Sequence, residues 1–309
     1  MSTTTPPRIS VLMTSYNRED YIADAIESVL AQSVTDLELI VCDDQSSDGT
    51  VGIIHDYARR DPRIRVSINE RNLGDYANRR QVASLARGRF LKYHDSDDVM
   101  YRHCLQTMVE PLEAEPRAAF ALSSAGGWPG GPCPMLLTPR LAYEREFLGF
   151  GLFHQGPASA LFRTEAFREL GGFPAVTHSG DYLFWLHACT RVSVLLVPGD
   201  LFYYRVHPGQ ELAKPANVAA FARAAAEGWR VLNSAACPLT GEALEIGKRN
   251  FAFSQARGVY RHCKRGHFGS AATTCRLLGL GLGDLLAYLR PPRRSTSAGV
   301  PSATAGAVR

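Results

Sequence analysis

No stretch of this chain reaches the about 20 predominantly apolar residues that a membrane-spanning helix requires. Residues 1–8 are short and polar, without the apolar core of a secretory signal, so a cytosolic protein is expected. Cysteine is sparse and badly spaced for pairing. The seven (Cys42, Cys104, Cys133, Cys189, Cys237, Cys263 and Cys275) are odd in number and form no Cys-x-x-Cys, which argues against a disulfide framework or a zinc site. A dinucleotide fingerprint is also missing. Gly279-Leu280-Gly281-Leu282-Gly283 imitates one, but it follows no strand and has no acidic residue some twenty positions later. Nor is there a recognisable nucleic-acid-binding module.

What remains is ordinary globular material. The 309 residues, 45% hydrophobic and 21% charged, suffice for one large domain plus an appendage. The net charge of +4 hides an asymmetry. From Lys248 onward eleven Lys/Arg face one acidic residue, Asp284, so this end carries +10 and the first 247 residues carry −6. The basic end suits an anionic partner such as lipid headgroups, a phosphorylated substrate or nucleic acid.

The first hundred residues alternate between short apolar runs and helical periodicity. Strands are expected at 8–13, 37–42, 64–68 and 89–93, with helices between them. Leu37-Glu38-Leu39-Ile40-Val41-Cys42 is nearly all apolar, as a strand covered on both faces should be. Such alternation predicts a parallel sheet flanked by helices. Polar clusters follow each strand: residues 14–17, 43–48, 72–74 and 95–98. In parallel sheets ligands gather at the carboxyl ends of strands, so these four clusters are expected on one rim. Further along, 125–140 reads as an irregular Gly/Pro loop, and 158–163, 192–197 and 201–206 read as strands. Helices are expected to about 233, over 242–264 and over 268–289, with a disordered tail from 291.

The most charged cluster is Asp95-Ser96-Asp97-Asp98. Three carboxylates within four residues repel unless a positive charge is shared. A hard divalent cation with phosphate oxygens would supply it; a polar turn or helix cap is the alternative.

The motifs, taken in order, resemble the family-two inverting glycosyltransferases of the GT-A fold over residues 9–210. Thr14-Ser15-Tyr16-Asn17 is similar to the family's opening nucleotide-binding turn, and Asp43-Asp44 with Ser46 and Asp48-Gly49-Thr50 to its second signature. Asn72-x-Gly74 with Arg79 resembles the third, and Asp95-x-Asp97-Asp98 the metal-binding motif. Gly171-Gly172-Phe173 with Asp181 and Trp185-Leu186 resembles the stretch that carries the base, and Tyr204-Arg205-x-His207-Pro208-Gly209-Gln210 the loop over the donor. One departure is Gly180, where many members carry an acidic residue.

The resemblance implies an α/β, GT-A-type mostly parallel sheet with a C-terminal helical appendage. A catalytic domain at 1–212 would divide into a nucleotide-sugar half, 1–100, and an acceptor half, 101–212. A helical region at 213–290 and the tail at 291–309 would follow. Thr14 and Tyr16 are then expected at base and ribose, Asp44 on the uracil N3–H and Arg79 on the diphosphate. Asp95 would take a ribose or sugar hydroxyl, while Asp97, Asp98 and His207 would hold Mn²⁺ or Mg²⁺. Asp181 would be the general base of a single displacement. Trp128 is a candidate for the acceptor sugar, with loop packing as the alternative. Expected partners are a nucleotide sugar, most simply UDP-linked, and a glycan or lipid-linked acceptor. Residues 268–294, Leu-rich and then Arg-rich, would touch an anionic membrane at its inner face; no nucleic acid is expected. A same-fold nucleotidyltransferase would need a Gly-rich basic loop after the first strand, and residues 14–17 are not one.

Overall fold

The computed structural model describes residues 5–124, 133–149, 151–208, 210, 218–281, 283, 284 and 287. Trp128, with the rest of 125–132 in the expected 125–140 loop, and the tail from 291 lie outside them. Ten strands and ten helices are described. The first part runs β1 (Ile9–Ser15), α1 (Ile22–Leu30), β2 (Leu37–Asp43), α2 (Thr50–Arg60), β3 (Ile64–Ile68), α3 (Asp75–Ser84) and β4 (Phe90–Asp95). It continues through β5 (Val99–Met100), α4 (Cys104–Ala114), β6 (Ala118–Ser124), β7 (Met135–Leu137) and α5 (Pro139–Leu148). A 3₁₀ turn at Pro157–Ser159 leads into β8 (Ala160–Arg163), α6 (Thr164–Glu169), α7 (Gly180–Ala188), β9 (Ser193–Pro198) and β10 (Phe202–Tyr203). The last helices are α8 (Val218–Leu232), α9 (Gly241–Lys264) and α10 (Phe268–Leu278).

The main sheet has the order β3-β2-β1-β4-β8-β6-β9-β7. Strands β1 to β4 are mutually parallel, as is β6 with β9, whereas β8 runs antiparallel between β4 and β6 and β7 antiparallel to β9. β2 is buried at every residue, which explains its unbroken apolar run. Alternation along β1 divides the core. Ile9, Val11 and Met13 join α1, α2 and α4 on one face, and Leu12 joins an aromatic cluster on the other. That cluster holds Tyr93, Phe120, Phe162, Phe167, Phe173, Phe184 and Trp185, and it fixes α6 and α7 to the sheet. Helix α10 packs on α8 and α9, and α9 packs on α5.

Three sequence expectations are corrected. Residues 133–140 are not all loop: β7 adds to the sheet edge, and Pro139 starts α5 behind a Thr138 cap that accepts from Leu141 N–H. The strand expected at 201–206 is only Phe202–Tyr203, paired with β5 outside the main sheet, because the following residues bond to the acidic cluster instead. The helix expected over 268–289 is interrupted after Leu278, where Gly279 takes φ 65° as a left-handed cap; Gly283, Asp284 and Ala287 are helical again.

Candidate active site

The four polar clusters meet at one end of the sheet. Thr14 on β1 is in register with Asp95 on β4, and Ser15 with Asp43 on β2. Three parallel strands therefore end together and their loops share one rim. A cavity of about 720 Å³ opens there, lined by Thr14, Tyr16, Asp44, Arg79, Asp95, Asp97, Asp98 and Asp181 among others. Residues 167 positions apart in the chain thus face a common space. Among the described residues expected at the site, His207 alone is not part of this lining.

Hydrogen bonds between loops set the geometry. Asp43, fully buried, accepts from Ser15 Oγ at 2.8 Å, from Ser46 Oγ at 2.6 Å and from Ser46 N at 2.8 Å. Asn17 holds a left-handed φ of 52° and accepts from Ser47 N at 2.8 Å, tying the first loop to the second. Asp44 ties the second loop to the third. Its Oδ1 accepts from Asn69 Nδ2 (2.7 Å) and Leu73 N (2.8 Å), and its Oδ2 from Gly74 N (2.9 Å). The carboxylate expected to read a base therefore first holds the turn that starts α3, with acceptor capacity remaining on Oδ2.

Arg79, buried on α3, donates Nε to Asp75 at 2.8 Å and Nη2 to Asp95 at 2.7 Å, while its Nη1 is buried without a partner. Burial alone would raise the Asp95 carboxyl, but the adjacent Arg79 guanidinium more than reverses this and holds it below the usual carboxylate range. Asp98 has the opposite balance. Burial, followed by the charges of Asp95 and Asp97, pushes it up to about 7, and its Oδ2 is buried without a partner.

Asp97 is closely surrounded. Its Oδ2 lies 3.0 Å from Arg18 Nε and 3.0 Å from His207 Nε2. His207 also packs against the Tyr21 ring, tilted by 36° with centroids 4.4 Å apart. Arg205 donates its backbone N–H to Asp98 Oδ1 at 3.0 Å, its Nε to the Asp97 carbonyl at 2.9 Å and its Nη2 to Asp24 at 2.9 Å. The 204–207 segment is thereby fastened to the acidic cluster. Among the described residues no group of three His, Cys, Asp or Glu is placed to hold a metal alone. The unpartnered Asp98 oxygen still offers one ligand to a hard cation, which takes one or two protein carboxylates and keeps its other positions for water and phosphate.

Asp181 lies in the first turn of α7, after Ser179 at φ 61°. Burial, the dominant influence, raises its carboxyl above the ordinary value, opposed by the Tyr182 N–H and the Tyr76 hydroxyl. The Tyr76 hydroxyl also accepts from the Asp181 backbone N–H at 3.0 Å. The departure at Gly180 has a steric reason: a Cβ there would lie 2.6 Å from the Tyr76 ring.

Several lining residues escaped the sequence reading, among them Arg18, Tyr76 and His154. Arg18 and Tyr76 adjoin the motifs at 14–17 and 72–74, so proximity was their available signal. His154 stacks on Tyr182 across 6.0 Å from a stretch with no periodicity to mark it.

The family model for "Glycosyl transferase family 2" matches residues 10–171, and the chain belongs to that family. Chondroitin synthase from Escherichia coli is 36% identical over 197 residues, 58% of this chain and 26% of that protein. WfgD of Escherichia coli, a UDP-Glc:alpha-D-GlcNAc-diphosphoundecaprenol beta-1,3-glucosyltransferase, is 38% identical over 104 residues, 34% of this chain and 40% of that one. The chain therefore spans well under two thirds of these relatives' length. In fold it is similar to S. aureus TarS 1-349 in complex with UDP-GlcNAc (TM-score 0.59, 21% identity, 91% of this chain and 79% of that one). It is likewise similar to the mannosyltransferase PcManGT from Pyrobaculum calidifontis in complex with GDP-Man and Mn²⁺ (TM-score 0.62, 18% identity, 92% and 79%).

Proposed function

We propose that this chain transfers a sugar, with inversion, from a UDP-linked donor to a hydroxyl of a glycan or lipid-linked acceptor. The observation that carries the reading is the single cavity where Asp44, Asp95, Asp97, Asp98 and Asp181 converge. UDP-GlcNAc bound to TarS and the UDP-Glc donor in the name of WfgD support the donor class. The diphosphoundecaprenol acceptor in that same name supports a lipid-linked acceptor.

Thr14 and Tyr16 contact base and ribose, and Asp44 accepts from the uracil N3–H. Arg79 offers its unpartnered Nη1 to the diphosphate as a charge-assisted donor. Asp95, fixed by Arg79, takes a ribose or sugar hydroxyl. Asp97, Asp98 and His207 would hold Mn²⁺ or Mg²⁺, in keeping with the Mn²⁺ in the PcManGT complex. Such a cation offsets charge on the departing diphosphate, worth several kcal/mol.

Asp181 removes the acceptor proton as that oxygen attacks the anomeric carbon from the face opposite the diphosphate. Its raised pKa makes it a stronger base than an exposed aspartate. One displacement with no covalent intermediate inverts the centre. The division into a catalytic domain, 1–212, and a helical region, 213–290, belongs to the same reading. So does peripheral work at the inner face of a membrane. No helix among the described residues is long and apolar enough to cross one.

The test is a panel of UDP-, dTDP- and GDP-sugars, scored by thermal stabilisation with and without Mn²⁺, followed by NMR of the product anomer. A UDP-sugar should stabilise most, only with the metal, and the product anomer should be inverted. Retention of configuration, or a preference for GDP-sugars, would overturn the proposal.

A further inference from the structure

The last turns of α9 and the start of α10 carry one exposed stripe. Arg257, Tyr260, Arg261, Lys264, Arg265 and Phe268 recur at spacings of three and four and are all exposed, whereas Ala252, Ala256 and Val259 face inward. Tyr260 is 56% and Phe268 67% exposed, large apolar surface for water to cover. Residues 246–281 contain no Asp or Glu. Among the described residues no carboxylate pairs with Arg257, Arg261, Lys264 or Arg265. A solvated helix face ordinarily mixes signs, since like charges four apart weaken a helix. Here Arg257, Arg261 and Arg265 repeat at that unfavourable interval, and no carboxylate among the described residues relieves the repulsion.

We infer that this stripe docks on an anionic lipid surface, its four cations among the headgroups and Tyr260 and Phe268 at the acyl boundary. The stripe narrows the membrane contact proposed above and moves its centre from the Leu-rich segment onto α9. It rests on charge and exposure, independently of the transfer chemistry. Nucleic acid is the competing polyanion. The absence of a recognisable nucleic-acid-binding module in the sequence favours lipid.

The test uses the full chain and phosphatidylcholine vesicles with or without phosphatidylglycerol, in low and high salt, with RNA homopolymer as a separate arm. Sedimentation should need the anionic lipid and fall with salt. Each basic residue at such a surface contributes roughly fivefold, so Arg257→Gln/Arg261→Gln/Lys264→Gln/Arg265→Gln should reduce partitioning by about several hundredfold. Phe268→Ser should reduce it further. These positions are exposed, and an unchanged melting temperature and UDP-sugar binding would verify folding. A comparison variant replaces Arg290, Arg293 and Arg294 and should retain most of the binding. Failure to sediment with anionic vesicles would overturn the inference. So would undiminished binding by the quadruple variant, loss through the comparison variant alone, or equal capture by RNA. Loss of lipid binding with donor binding intact would leave the glycosyltransferase reading untouched.

Discussion

Two buried carboxylates at opposite ends of the same sheet have been treated in contrary ways. Glu38, near the amino end of β2, accepts from Ser10 Oγ at 2.6 Å, from Arg65 at 2.8 Å, and from the backbone and guanidinium of Arg87. Burial raises its pKa, but those donors outweigh it and leave the group below its ordinary value. Asp98, beyond the carboxyl end of β4, keeps an unpartnered oxygen and is pushed up to about 7. Arg79 Nη1 and His94 Nδ1, both also buried without partners, lie at that same end. A polar network that serves stability is closed, because an unmet buried group costs about 1–3 kcal/mol. One left open at a cavity has capacity reserved for something that binds there.

The comparison can be broken in four places. The largest effect is expected at Asp181→Asn, which removes the base and should lower transfer by about 10²–10⁴ in rate. UDP and Mn²⁺ binding, measured by calorimetry, should stay within a few-fold; unimpaired transfer would end the assignment. Next comes Asp98→Asn, expected to weaken Mn²⁺ binding on the order of 10²-fold. It should leave the metal-free melting temperature unchanged or higher, since it removes a buried charge that Asp95 and Asp97 repel and that the Arg205 N–H only partly offsets.

Glu38→Gln should do the reverse, costing about 2–3 kcal/mol in denaturant unfolding with transfer per folded molecule unchanged. The sign of its pH dependence follows from the lowered pKa. Glu38 stabilises above its unfolded value, and that contribution is lost as the pH falls through the folded one, so wild type and variant should converge in acid. Smallest is Tyr76→Phe. The hydroxyl lowers the Asp181 pKa, so its loss should move the acidic limb of kcat/KM to higher pH by a fraction of a unit. An unmoved limb with lower stability would reduce Tyr76 to packing.

Much of the rim formed by the first hundred residues was legible from their order. Short apolar runs alternate there with helical periodicity, so the ends of β1, β2, β3 and β4 were visible, and ligand-facing loops follow such ends. The part contributed by later residues was less so. β7 and α5 lack strong periodicity, and β10 was overestimated because Tyr204 to His207 look strand-like until Asp97 and Asp98 claim their donors. Asp44 was marked as a base reader, yet most of its carboxylate supports the 72–74 turn. Gly180 stood out as a departure whose cause, the ring of Tyr76, comes from another helix.

Local pattern alone decided the strand and helix alternation, the clustering of acid after β4 and the basic bias of the last sixty residues. Those depend on neighbours within a few positions, where period and charge can be read directly. Only the fold decided which carboxylates are closed and which are open, that Arg18 and His207 both reach Asp97, and that the cations of α9 fall on one exposed stripe. Partnership across a hundred residues is a matter of distance in space, and the order of a chain does not contain it until packing has brought the segments together.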